Sequence, residues 1–149
     1  MAPDNPPPAM PPGMPAPMAA DRVTVLSSAD LDAIGWTPLH GDERIGNKIL
    51  WRSPTGDMIV GLIRMQPGTE DAGHVHPAAT QHTWVIEGQA SIEGTPVSVG
   101  SYAYVPPGVP HHTATVGSQP CTLFYLYQPH EPTHAEHRDH RPGAPWGPA

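Results

Sequence analysis

Three histidines and one glutamine in the middle of the chain have the types and spacing to bind a single metal ion. His74 and His76 are separated by one residue, Gln81 begins the next predicted strand, and His111 comes from a later segment. Because residues i and i+2 of a β-strand point to the same face, we expect the first two imidazoles to reach one ion. Imidazole-rich sites suit divalent transition metals. The sequence therefore predicts one such ion, and these ligands suit Fe(II), Mn(II), Zn(II), Ni(II) or Co(II) without choosing among them.

Strand alternation around Gln81 separates its neighbours into two groups. Thr83 and Val85 share the face of Gln81, whereas His82 points to the other face. His82 is the rival fourth ligand, and the competing interpretation makes it a surface or interface histidine. The residues expected to line the substrate pocket are Thr83, Val85, Tyr102, Tyr104 and Tyr125.

The missing charge on Gln81 indicates the kind of substrate. Three neutral imidazoles and one neutral carboxamide leave a divalent ion with its full positive charge. Such a site favours an anionic small molecule that binds through two oxygens, such as an enolate, a β-dicarbonyl or an α-hydroxyketone. It also acidifies bound water more strongly than a site with a carboxylate ligand.

The metal-binding segment has the form of two blocks with regularly placed glycines. The blocks read Gly68-x5-His74-x-His76-x4-Gln81-x6-Gly88 and Gly100-x5-Pro106-x-Gly108-x2-His111-x3-Thr115. They resemble the paired signature of the cupin superfamily, in which two His, a Glu and a later His bind one metal inside a small β-barrel. The chain departs from that pattern at Gln81, where the Glu usually stands, and at Thr115, where an Asn often stands.

This resemblance implies an all-β cupin-type jelly-roll barrel that forms a homodimer. The segment from Trp51 to Gly56, followed by Pro67-Gly68, is similar to cupins that include diketone and hydroxyketone dioxygenases and to the cupin half of certain anti-sigma factors. The first hypothesis is therefore a non-haem Fe(II) dioxygenase that cleaves a C–C bond. The second is a redox-neutral lyase, isomerase or polyketide cyclase that uses Zn or Mn. The third is a metal-dependent sensor or binding module without turnover.

The patterning of the flanking residues predicts the elements that position this site. About eight or nine short strands, with turn signals every ~8–12 residues, indicate an antiparallel sandwich or barrel. Lys48–Arg52 and Asp57–Met65 flank a Ser-Pro-Thr-Gly turn and predict a hairpin. Residues 58–63 are apolar on both faces, so we expect them between two sheets or at a subunit contact. Before these strands, residues 27–35 predict a short helix capped by Ser27 or Ser28 and stopped at Gly35.

Composition divides the 149 residues into a Pro- and Met-rich arm at 1–20, a cupin domain at 21–127 and a His- and Pro-rich tail at 128–149. The net charge of −7 and the single lysine argue against nucleic acid and against an anionic membrane as partners. One cysteine excludes an internal disulfide. The sequence has neither a run of ~20 apolar residues nor a signal peptide. We therefore expect a soluble, cytoplasmic protein, with a mature exported form as the alternative.

Overall fold

The computed structural model describes residues 18–129, and this part of the chain contains one short helix and ten β-strands. In chain order they are α1 (Ser28–Ala33), β1 (Thr37–Leu39), β2 (Asp42–Arg52), β3 (Ile59–Met65), β4 (Glu70–His74), β5 (Ala79–Glu87), β6 (Gln89–Ile92), β7 (Thr95–Ser98), β8 (Tyr102–Val105), β9 (His111–Thr115) and β10 (Cys121–Pro129). Six strands form a sheet in the order β1-β2-β3-β10-β5-β8, and four form a second sheet in the order β4-β9-β6-β7. All pairs are antiparallel. The predicted all-β cupin-type jelly roll is confirmed.

The short strands expected between turn signals are present, and the six strands from β5 onward are four to nine residues long. Their turns follow the glycines, and the turn at Gly88 shows why a glycine is required. Its φ is 74°, and a Cβ atom added there would overlap the carbonyl oxygen of Pro120. The last strand, β10, ends at Pro129 rather than at 127. The arm and the tail lie mostly outside the described residues, so the division of the chain stays a prediction.

The first hairpin extends further than the sequence predicted. β2 begins at Asp42 instead of Lys48, and it also pairs with β1. The turn between β1 and β2 contains His40 and Gly41, with φ values of 52° and 78°. Positive φ at both central residues fits the tight hairpin turn whose twist matches that of the strands. This turn brings a histidine to the edge of the metal-binding region.

The helix α1 and the residues after it cover part of the outer face of the six-stranded sheet. Ser27 caps the helix as predicted, but the helix stops at Ile34 rather than at Gly35. The ammonium group of Lys48 donates to the carbonyl oxygen of Leu31 over 2.6 Å and lies 4.3 Å from the centre of the Trp36 ring. Burial lowers the pKa of Lys48.

This cover gives a different explanation for the doubly apolar run at 58–63. β3 lies in the middle of its sheet, between β2 and β10. Its inner residues Ile63 and Met65 belong to the core. Its outer residue Leu62 is paired with Lys48, beneath the segment that follows α1. A segment of the same chain therefore covers the outer face at this point, which the sequence analysis did not foresee.

The core consists of two clusters of buried side chains on the inner faces. One cluster contains Ile45, Ile63, Met65 and Tyr125, and the other contains Val85, Ala90, Cys121 and Leu123. Cys121 has no exposed surface, and burial raises the pKa of its thiol to about 11. A thiol that stays protonated in this way packs as a small apolar residue. Within residues 18–129, the six-residue α1 is far too short to cross a membrane.

Candidate metal centre

The three histidines of the two sequence blocks, His74, His76 and His111, come from one edge of the barrel. His74 ends β4 and is paired directly with His111, the first residue of β9. His76 does not continue the strand of His74, as the i, i+2 argument assumed, but lies in the loop that leads to β5. The loop nevertheless returns its ring to the same place. Its Nε2 atom is 3.1 Å from Nε2 of His74.

The separations of the three rings fit one shared ion. The ring centroid of His111 lies 4.4 Å from that of His74 and 5.2 Å from that of His76. One ligand atom from each residue lies within 4.8 Å of the others. Two nitrogens bound to one ion at ~2.0–2.1 Å are roughly 2.9–3.4 Å apart for cis-octahedral or tetrahedral angles. The spacing of the two Nε2 atoms falls within that range, so the three histidines are positioned to bind a metal.

Hydrogen bonds direct the remaining donor atoms into the same cavity. Nδ1–H of His111 donates to the carbonyl oxygen of Val109 over 3.2 Å, which leaves the Nε2 lone pair free. The amide nitrogen of Gln81 donates to the hydroxyl of Thr83 over 2.8 Å, which turns Oε1 the other way. Nε2 of His111 and Oε1 of Gln81 are both buried without a hydrogen-bond partner among the described residues. Two buried acceptors without donors fit a cation.

The surroundings of the histidines keep their lone pairs available. Burial, together with the neighbouring His74 and His111, lowers the pKa of His76 to about 4. Burial likewise lowers the pKa of His111. An imidazole must be neutral to bind a metal, so these rings are in the competent state at neutral pH.

The cavity at these donors has a volume of about 170 Å³. Besides the four predicted donors, its lining contains Leu39, His40, Ile63, Met65, Asp71, Thr113, Leu123 and Tyr127. A water molecule occupies ~30 Å³ of liquid, so the cavity has room for an ion and a small group of atoms beyond it. A larger depression of about 540 Å³ on the surface is lined only by Gly, Gln, Ser and Val residues, and it offers no metal donor.

None of the five residues expected to line the substrate pocket is part of this lining. Three of them lie inside the barrel but have other roles. Thr83 holds the amide of Gln81, and Val85 belongs to the core. The hydroxyl of Tyr125 donates to Oδ1 of Asn47 over 2.8 Å, and burial raises the pKa of Tyr125 to about 12.

The other two expected pocket residues, Tyr102 and Tyr104, lie on the outer face of the six-stranded sheet. They are 50% and 55% exposed. His82 lies with them, since it is paired with Tyr104 and its Nδ1 is 2.7 Å from the hydroxyl of Tyr102. The alternation that places Gln81 inside turns these side chains away from the cavity. The structure therefore removes His82 as the rival ligand.

Two residues at the mouth of the cavity carry chemistry that the sequence analysis missed. The ring centroid of His40 is 5.5 Å from that of His74. Oδ2 of Asp71 is 3.5 Å from Nδ1 of His74. Ligand atoms of these three residues lie within 4.8 Å of one another. The sequence signal for His40 was the His-Gly pair between Leu39 and Asp42, because such a pair predicts a hairpin turn. Asp71 had no signal of its own, since it lies among the five unspecified positions between Gly68 and His74.

The barrel of two antiparallel sheets and the inward cluster of three histidines define a cupin with a site positioned for a metal ion. The sequence comparison is more specific. The chain belongs to the family of ChrR cupin-like domains, whose match covers residues 26–131. No curated protein sequence matches the chain.

Several solved structures have similar folds. KdgF from Halomonas sp. is 20% identical, with 67% of this chain and 92% of that one covered and a TM-score of 0.56. A protein with a double-stranded β-helix domain from Klebsiella pneumoniae is 24% identical, with 72% and 91% covered and a TM-score of 0.57. An RmlC-like cupin from Ralstonia eutropha is 16% identical, with 72% and 69% covered and a TM-score of 0.60. At these identities, the likeness shows the fold.

Proposed function

We propose that this chain is a metal-dependent cupin enzyme, a non-haem Fe(II) dioxygenase that acts on a small enolisable dicarbonyl or hydroxyketone. The observation that supports an enzyme is the space beyond the donors. Structural metal sites are closed by protein ligands, whereas catalytic sites keep open positions. Here the four donors line a cavity of about 170 Å³, which has room for a ligand beside the ion.

In this proposal, His74, His76 and His111 hold the ion, and Oε1 of Gln81 is the fourth donor. Bound Fe(II) would activate O2, the substrate would supply the four electrons that reduce it, and both oxygen atoms would end in the two products of C–C cleavage. The four protein donors are all neutral, so the site retains charge for an anionic substrate. Thr83 fixes the amide of Gln81 and thereby keeps its oxygen, rather than its nitrogen, directed to the cavity.

The apolar part of the cavity lining selects the substrate in this proposal. Ile63, Met65 and Leu123 line the cavity with apolar side chains. They would contact a small apolar substituent and exclude water from it. Tyr127 also lines the cavity, and its ring centroid is 4.6 Å from that of His76. Burial raises the pKa of Tyr127 well above the ordinary tyrosine value, so the phenol stays protonated and can donate a hydrogen bond to an enolate oxygen.

A second candidate function is a metal-dependent binding or sensing module without turnover. The family match favours it, because the matching domain is described as ChrR cupin-like. The sequence also resembles the cupin half of certain anti-sigma factors. In that case the same donors would hold the ion, and the cavity would report on a small ligand. The homodimer expected from the sequence stays a prediction in either case.

Oxygen uptake separates these functions. The full-length protein would be loaded with Fe(II) without oxygen and then mixed with β-diketones and aryl hydroxyketones in aerated buffer. We expect consumption of one molecule of O2 for each molecule of substrate, and no consumption by the His76→Ala variant. His82→Ala is the matched control, because it removes an imidazole on the outer face and leaves the cavity unchanged.

Three results would contradict the dioxygenase. Substrate loss without O2, in protein loaded with Zn(II) or Mn(II), would indicate the lyase or isomerase. Stoichiometric metal binding with every substrate left intact would indicate the sensor. Equal metal content in wild type and His76→Ala would remove the metal centre itself.

A further inference from the structure

The pairing of β4 with β9 contains an irregularity beside the metal centre. Asp71 is paired with Thr113, and His74 is paired with His111. Three steps along β4 therefore match two steps along β9. β4 contains one extra residue, a bulge at Ala72 and Gly73, and both of these residues are exposed. Bulges of this kind redirect side chains and are frequent next to active sites.

The bulge places Asp71 and His74 on the same face. In a regular strand, residues i and i+3 point to opposite faces. Thr113 and His111 are two residues apart on the regular partner strand, so both point into the cavity, and their partners on β4 do the same. The carboxylate of Asp71 consequently reaches Nδ1 of His74, at a distance of 3.5 Å. Only 13% of the Asp71 side chain is exposed.

The proton on His74 then has a defined position. A neutral imidazole carries one proton, and Nε2 of His74 faces Nε2 of His76 at 3.1 Å. If Nε2 offers its lone pair to the ion, the proton is on Nδ1, which faces Asp71. Nδ1 is buried, and no hydrogen-bond partner lies within 3.5 Å with suitable geometry among the described residues. The carboxylate of Asp71, with Oδ2 at 3.5 Å, faces this proton and can accept it.

We propose that Asp71 is the positioning residue of the metal centre and holds His74 in its metal-binding tautomer. This inference rests on the metal site proposed above. The other fixed ligand, His111, donates its Nδ1 proton to the neutral carbonyl of Val109. A carboxylate acceptor raises the basicity of a ligating imidazole more than a neutral carbonyl does. His74 is therefore a stronger nitrogen donor than His111.

The same reasoning decides how the outer group of His40, Asp71 and His74 acts. These residues line a second cavity of about 250 Å³ at the mouth, together with Asp42 and Glu70. A second ion there would need the lone pair of His74 Nδ1, but the proton occupies that atom once Nε2 binds the first ion. The outer group is thus a support for one ion rather than a second metal site.

Metal affinity in matched variants tests the proposal. Asp71→Ala removes the acceptor and its charge, Asp71→Asn removes the charge alone, and Glu70→Gln removes the charge of the neighbouring exposed carboxylate. Zn(II) affinity would be measured on full-length proteins at pH 7 by competition with a chromophoric chelator. The signal of His76→Ala, which retains every histidine of the tail, would be subtracted. Loss of such an outer partner typically weakens metal binding by ~10–100-fold.

We expect Asp71→Ala to bind Zn(II) at least ~10-fold more weakly, Asp71→Asn to be intermediate, and Glu70→Gln to match the wild type. In Zn-loaded wild type, the Nδ1 proton of His74 should give a slowly exchanging proton NMR signal that Asp71→Ala loses and Glu70→Gln keeps. Equal affinity of Asp71→Ala and wild type would overturn the positioning role while leaving the metal centre intact. A stoichiometry of two ions that falls to one in Asp71→Ala would overturn it in favour of a second site. If Asp71→Ala does not fold, Asp71→Asn provides the test. A Zn(II) affinity of Asp71→Asn equal to that of Glu70→Gln would overturn the proposal.

Discussion

His74 and His111 are directly paired across β4 and β9, with ring centroids 4.4 Å apart. The two residues are far apart in sequence, and the strand register alone brings them together. The metal centre therefore depends on that register, whereas His76 is added by a loop and Gln81 by the opposite sheet. Predictions about the donors and predictions about the barrel can be tested separately.

Replacing Gln81 by Glu tests the charge of the site. A carboxylate at this position adds a negative ligand, so we expect Gln81→Glu to bind Zn(II) or Co(II) about tenfold more tightly, a gain of ~1.4 kcal/mol. The same change should weaken the binding of an anionic chelating ligand such as a β-diketonate. Calorimetric titration of metal and ligand measures both effects. Unchanged metal affinity would mean that the side chain at 81 does not contact the ion.

The free energy of unfolding of the metal-free protein should fall as the pH decreases from 6.5 to about 4. The pKa of His76 is lowered from its ordinary value of 6.5 to about 4 by burial and by the neighbouring histidines. In this pH range the unfolded chain binds a proton at His76 and the folded chain does not, so protons favour unfolding. Above pH 6.5 both states are neutral, and this contribution is constant.

Urea unfolding at a series of pH values measures this dependence. His76→Ala should show a shallower decrease than wild type, because it lacks the group that titrates. His82→Ala, which loses a histidine outside the cavity, should keep the wild-type slope. If both variants behave alike, the dependence does not come from His76.

Gly88 and Gly94 form a matched pair for the turns of the barrel. Both have positive φ, at 74° and 76°. An added Cβ at Gly94 meets nothing within 4 Å, whereas at Gly88 it overlaps the carbonyl of Pro120. The left-handed conformation costs an alanine ~1–2 kcal/mol, so we expect that loss in Gly94→Ala and a clearly larger one in Gly88→Ala. Chemical denaturation of both variants measures the difference, and equal losses would show that the turn at 88 can relax.

His40→Asn tests the role of the β1–β2 turn. Asparagine adopts positive φ more readily than most residues and is common in such turns, so the stability should stay within about 0.5 kcal/mol of wild type. Metal affinity should also be retained, because His40 is not one of the donors assigned to the ion. A large loss of affinity with normal stability would place His40 among the ligands. Thermal unfolding and the chelator competition provide the two measurements.

The sequence predicted the barrel well because strand alternation and glycine turns are local signals. β5 is the best example, since alternation alone placed Gln81 inside and His82 outside, as the burial of these side chains confirms. The inward cluster of His74, His76 and His111 was also predictable. The spacing of the two sequence blocks predicted it, whereas the argument from i, i+2 alternation along one strand did not apply. The assumed reason for the first pair was wrong, because His76 lies in a loop.

Features that depend on pairing between distant segments could not be predicted. The approach of Asp71 to His74 requires a bulge, and a bulge exists only relative to a partner strand. The apolar outer face of β3 suggested a subunit contact, since nothing local indicates that Trp36 lies over Lys48. Tyr102 and Tyr104 were expected in the pocket because large aromatic residues are usually buried, yet their strand β8 is the edge of its sheet and leaves them exposed.

The position of β10 has a consequence for how the protein acquires its structure during synthesis. β10 is the last strand of the described chain, but it lies between β3 and β5 and carries Tyr127 into the cavity. Until the ribosome has made it, each of those two strands lacks a neighbour and the barrel cannot close. The nascent chain therefore cannot capture an ion in its final site early in translation. Any metal ion would therefore enter this site only after the domain is complete.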